Sequence, residues 1–151
     1  MLKINFNTIF VSVFGIGFIP IASGTFGSLA GILIGYILYY INHNLLYFII
    51  PILFILGVFT SNVYQKQTGE KDSSIIVIDE VVGQLIAMLF IIDNPLLVFI
   101  SFILFRTFDI FKPWPASYAD SKINGGLGVM LDDVFAAIYA LIFLFFIELI
   151  F

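Results

Sequence analysis

Ile75-Ile76-Val77-Ile78-Asp79-Glu80-Val81-Val82-Gly83-Gln84-Leu85-Ile86-Ala87-Met88-Leu89-Phe90-Ile91-Ile92 is a nearly unbroken apolar run that carries two adjacent carboxylates. A membrane-crossing helix takes about 20 mostly apolar residues, with a working range of about 17 to 25, so the run predicts a span. Thr25 to Ile41, Leu45 to Val63 and Asp133 to Phe151 qualify on the same ground. Leu96 to Phe111 stands at the short end and holds Arg106 and Asp109 in its last two turns. Ahead of them, Ile9 to Ile21 is brief and broken by Gly15, Gly17 and Pro20, which predicts an interfacial or re-entrant helix. None of these runs alternates as a barrel strand does. The expected fold is therefore all-α, a polytopic membrane helix bundle. It has about five spanning helices and a short N-terminal interfacial or re-entrant helix in one integral membrane domain over residues 1–151.

Composition agrees. Of the 151 residues, 62% are hydrophobic and 11% charged, with a mean hydropathy of +1.16, whereas a soluble domain carries about a quarter charged residues. With six Lys and Arg and a net charge of −4 there is no basic patch for nucleic acid. The absence of cysteine removes disulfides, thiolate metal sites and cysteine phosphatases. The run from Lys3 to Ala22 resembles a secretory signal, but the equally apolar remainder predicts that it belongs to the bundle.

Charge sorts the connections. Asn42-His43-Asn44 and Asp93-Asn94-Pro95 hold no Lys or Arg, while Lys3, Lys66, Lys71, Arg106, Lys112 and Lys122 all fall on the other side. By the positive-inside rule that side is the cytoplasm. The carboxylates gather there too. Asp79 and Glu80 lie about 6 to 8 Å along the third span, Arg106 and Asp109 close the fourth, and Asp132 and Asp133 open the fifth. Each has a plain structural account. Asp132 or Asp133 suits a helix N-cap, Arg106 and Asp109 suit an i,i+3 ion pair, and Lys112 and Trp114 suit snorkelling and interfacial anchoring. Asp79-Glu80 resists such an account, because a charge at mid-bilayer costs about 2.5 to 3.5 kcal/mol and no cation shares its span. A hard divalent cation is the partner that neutralises several carboxylates together.

Ser23-Gly24-Thr25-Phe26-Gly27-Ser28 and Gly125-Gly126-Leu127-Gly128 each lead into a predicted span on this side. Free N–H groups and hydroxyls at a helix N-terminus suit a phosphate, although a capped helix with close glycine packing accounts for them as well. Neither is a Walker loop. His43, the only histidine, lies in a loop of the opposite face, and there is no Asp-x-Asp pair. What remains is carboxylates, a Lys, an Arg and a divalent ion, the means for phosphoryl transfer by positioning and charge neutralisation. A site at headgroup depth on the cytoplasmic leaflet points to a phospholipid substrate. The alternative is a small ion- or proton-coupled transporter or channel subunit, which predicts carboxylates spread through the membrane depth.

Four motifs in order resemble the signature of the phosphatidylglycerophosphatase A family. They are Ser23 to Ser28, Ile76 to Gly83, Phe105-Arg106-Thr107-Phe108-Asp109-Ile110-Phe111-Lys112-Pro113-Trp114-Pro115, and Gly125 to Asp133. The resemblance covers about residues 15 to 137. It implies a Mg²⁺-dependent phosphatase of the cell (inner) membrane, active site to the cytoplasm, that converts phosphatidylglycerophosphate to phosphatidylglycerol and inorganic phosphate in phosphatidylglycerol biosynthesis. On that reading Asp79, Glu80, Asp132 and Asp133 hold Mg²⁺ and activate water, with Asp109 as a fifth catalytic candidate. Arg106, Lys112, Thr25 and Ser28 hold the phosphate, Arg106 on condition that Asp109 does not claim it. The attacking group, water or an aspartate, stays open, with water favoured. Ser23 stands where the family usually has Pro, which predicts a looser first loop; Ser121 and Ala137 replace a common Arg and Gly.

Overall fold

The computed structural model describes residues 5–71 and 73–150. Lys3, counted above with the positive face, lies outside them. Among the described residues the chain is helical, with no strand. The elements are α1 (Phe6–Val11), a 3-10 turn (Ile16–Phe18), α2 (Ser23–Ile41), α3 (Leu45–Thr68), α4 (Ile78–Ala87), α5 (Pro95–Phe111), α6 (Ala116–Lys122) and α7 (Gly126–Ile150).

α2 is built inside out relative to a soluble helix. Its buried residues are Ser23, Gly24, Gly27, Ser28, Gly31 and Gly35, while Phe26, Leu29, Leu33, Ile37 and Tyr40 are exposed. Lipid solvates large apolar side chains, so association rests on small residues that let backbones approach. The glycine row lies along α4. A methyl group on Gly27 would meet Val77, one on Gly31 would meet Val81, and one on Gly35 would meet Leu85 and Met88. The contacts advance together along both helices, so α2 and α4 run parallel and begin at the same end. α7 packs against α3, α4, α5 and α6, burying Ala136, Ala137 and Ala140 fully.

Among the described residues three helices, α2, α3 and α7, are long and apolar enough to cross a membrane. The expected third span is shorter as a helix than the apolar run that predicted it. α4 has 10 residues, a rise of about 15 Å, half the ~30 Å hydrocarbon core. Beyond it the chain continues in turns, closed by bonds from the Leu89, Ile91 and Asn94 amides to the carbonyls three residues earlier. Met88, Ile91 and Ile92 are buried there, so this irregular backbone is shielded by protein. α5, with 17 residues, rises about 26 Å. The brief N-terminal run is also divided. α1 ends at Val11, and the 3-10 turn follows a left-handed Gly15. This unit braces the approach to α4, since the Val77 amide donates to the Val11 carbonyl at 2.9 Å.

α7 starts at Gly126, seven residues before the predicted Asp133. Asn62 of α3 accepts the Gly126 amide at 2.7 Å, and Gly125 takes the left-handed turn before it, φ 79°. The N-terminus is thus closed by a side chain from another helix. Asp132 and Asp133 lie nearly two turns inside, where neither is an N-cap.

Candidate active site

α2, α4 and α7 begin, and α3 and α5 end, at one end of the bundle. There the first turn of α4, the last turn of α5, α6 and the second turn of α7 enclose a cleft of about 100 Å³. Asp79, Glu80, Asp109, Lys112, Asp120, Asp132 and Asp133 line it, with Ser73 and Ser74 at the entry to α4. Asp79 and Glu80 are first-turn residues of α4, where the helix dipole favours negative charge.

Two cations hold part of this charge. Arg106 Nη1 lies 2.5 Å from Asp109 Oδ2 and 3.8 Å from Glu80 Oε1, so Asp109 does claim it, and Arg106 does not line the cleft. Lys112 ends α5 in a left-handed conformation, φ 45°. That turn aims its ammonium at Asp120 Oδ1, 2.9 Å away, and at Asp132 Oδ2. Burial alone would lower its pKa, but the hydrogen bonds and charges of Asp132 and Asp120 outweigh this and hold it above the ordinary ammonium value.

Among the described residues three carboxylate oxygens are buried without a hydrogen-bond partner, Asp79 Oδ1, Glu80 Oε2 and Asp133 Oδ2. The same three residues offer oxygens within 4.8 Å of one another, as do Asp109, Asp132 and Asp133. A buried carboxylate with no partner costs several kcal/mol, and an all-oxygen, all-carboxylate donor set is what a hard divalent ion takes. The residues fit Mg²⁺.

Thr25 and Ser28 are not brought to the cleft. Ser28 is fully buried and its hydroxyl donates to the Gly24 carbonyl at 3.0 Å, back-bonding within its own helix. The first motif reaches the site through Gly24 instead. A methyl group there would fall on Glu80 Oε1 and 3.0 Å from Arg106 Nη2. Ser23, in place of the expected Pro, does not loosen the loop; its hydroxyl donates to the Ser74 carbonyl at 2.8 Å. Asp120, not counted among the candidates, shares the Lys112 ammonium. Its place in the polar run before α7 gave no charge-in-lipid signal.

Helices with small residues inside and large apolar residues outside, closed at one end around an acidic cleft, define an integral membrane protein with a carboxylate site at the edge of its apolar body. The family profile described as phosphatidylglycerophosphatase A matches residues 9–148. The chain belongs to the phosphatidylglycerophosphatase A family. It is 42% identical over 140 residues to a phosphatidylglycerophosphatase A of Haemophilus influenzae, covering 89% of this chain and 84% of that one. It is 34% identical over 135 residues to that of Escherichia coli, covering 89% and 78%. A Bacteroides thetaiotaomicron relative, provisionally named a phosphatidylinositol-3-phosphatase, is 38% identical over 137 residues, covering 85% of each chain. No solved structure matches the chain significantly.

Proposed function

We propose that the protein hydrolyses the terminal phosphomonoester of phosphatidylglycerophosphate, giving phosphatidylglycerol and inorganic phosphate with consumption of one water. The proposed setting is the cytoplasmic face of the cell membrane, with α4 plus its following turns and α5 completing five passes beside α2, α3 and α7. The observation that carries the reading is the set of orphaned oxygens on Asp79, Glu80 and Asp133 in a cleft at the end of an apolar bundle.

Charge explains why a cation belongs to the reaction. Six carboxylates face the two cations Lys112 and Arg106, leaving four negative charges. Two like charges 5 Å apart repel by ~3 kcal/mol at an effective ε of about 20, so a phosphomonoester does not enter unaided. Asp79, Glu80, Asp132 and Asp133 would hold Mg²⁺, with Asp109 beside them. When bound, the ion supplies charge neutralisation and polarisation of the phosphoryl group. Lys112 uses two N–H donors on Asp120 and Asp132, and an ammonium has a third, which is directed to a phosphoryl oxygen. A carboxylate takes the proton of the attacking water, and the glycerol oxygen leaves with a proton. Arg106 serves as a positioning residue that fixes Asp109 and Glu80.

A transport pathway finds little support. Away from the cleft the described acidic residues of the opposite half are Asp93 and Glu148, and Glu148 sits in an apolar groove with Phe90 and Phe146.

The test is purified protein in detergent micelles with phosphatidylglycerophosphate, phosphatidate or phosphatidylinositol 3-phosphate, with Mg²⁺ or with EDTA. Phosphate release from phosphatidylglycerophosphate that requires Mg²⁺ and exceeds release from the other two is expected. Absent or metal-independent release overturns the proposal, and preference for the inositol lipid reassigns the substrate.

A further inference from the structure

The two oxygen groups of the cleft have one residue in common. Asp79, Glu80 and Asp133 form one, and Asp109, Asp132 and Asp133 the other. Asp133 is 2% exposed and lines the cleft, and its Oδ2 has no hydrogen-bond partner among the described residues. We propose that the cleft binds two divalent cations that share the Asp133 carboxylate, one held with Asp79 and Glu80, the other with Asp109 and Asp132. The inference rests on the cation-binding part of the phosphatase reading and adds the number of ions and the residue that bridges them.

The two groups are unequal. In the first, each residue brings an oxygen with no protein partner. In the second, Arg106 already neutralises Asp109 and Lys112 already neutralises Asp132. Adding a divalent charge beside two fixed cations is less favourable, so the second ion binds more weakly. An octahedral Mg²⁺ with bonds of 2.0–2.1 Å keeps its ligand oxygens within about 4.2 Å of one another. In both groups one oxygen from each residue already lies within 4.8 Å of the others, and carboxylate rotation can adjust that spacing to the ion. A carboxylate has two oxygens and about four lone-pair positions, enough for one residue to serve two ions.

The experiment is Mn²⁺ titration of the purified full chain in detergent, followed by calorimetry and electron paramagnetic resonance. Two Mn²⁺ per chain are expected, the second at least about tenfold weaker, with the six-line signal of the first ion broadened by spin coupling as the second fills. Arg106→Gln with Asp109→Asn removes one ligand without stranding the guanidinium, and is expected to leave a single Mn²⁺ with a resolved six-line spectrum. Asp133→Asn is expected to abolish the coupling, with the melting temperature reporting that both variants are folded. One Mn²⁺ per wild-type chain, or two without coupling, overturns the inference. Should the wild type release phosphate with a single ion bound, the two-ion inference fails and the function stands. Two coupled ions without hydrolysis have the opposite meaning.

Discussion

Gly24 is where the first motif acts on the site, since any side chain there meets the Glu80 carboxylate and the Arg106 guanidinium. Gly24→Ala is expected to reduce phosphate release about tenfold or more, because displacements of about 1 Å at a reacting centre cost up to about 100-fold, while the melting temperature changes little. Thr25→Val leaves turnover within about twofold if, as the structure places it, the hydroxyl is away from the cleft. Asp79→Asn and Asp133→Asn are each expected to lose about 100-fold or more and to remain folded in detergent; near-normal turnover removes that residue from the site. The acidic residues were legible because a carboxylate inside an apolar run advertises its cost. The orientation of the motif hydroxyls was not legible, because helix phase decides which way a serine points, and Ser28 turns to its own helix. Asp120 was silent because it lies among polar residues where a charge costs little.

Between elements, the α2–α4 contact sets the depth at which Asp79 and Glu80 stand. A methyl group on Gly31 would lie 2.9 Å from the Val81 carbonyl and 3.1 Å from Gln84 Cβ, backbone and inner side-chain atoms that do not yield. Overpacking of this kind costs about 1–3 kcal/mol. Gly31→Leu should therefore lower the melting temperature in detergent and weaken Mn²⁺ binding together, because α4 carries two of the ligands. A lower melting temperature with unchanged binding separates the helix contact from the site. Hydropathy located the apolar runs but not the helix ends. Met88 to Ile92 are as apolar as α4 itself, so a run that leaves helical geometry under cover of protein reads like one that keeps it. The start of α7 was hidden for another reason, since its cap, Asn62, comes from a helix 64 positions away in sequence.

For the whole molecule, the distribution of charge sets the orientation proposed for the site. Lys66, Lys71, Arg106, Lys112 and Lys122 all lie at the end of the bundle that holds the cleft, and the turns at the other end carry none. Positive residues are retained on the cytoplasmic side during insertion, and on that rule the proposed orientation would turn the cleft to the cytoplasm, beside the inner-leaflet headgroups. The chain has no cysteine, so single introduced thiols report topology without background. Lys122→Cys, exposed at the cleft end, should react with a membrane-impermeant maleimide only after spheroplasts are permeabilised. Asn44→Cys and Asp93→Cys, exposed at the opposite end, should react in intact spheroplasts. Labelling of Lys122→Cys from outside would reverse the bundle and present the carboxylates to the outer leaflet, removing the cytoplasmic lipid as substrate. Labelling of Asp93→Cys from inside only would instead mean that α4 and α5 enter and leave on one face, as a re-entrant pair whose combined rise falls short of two full passes.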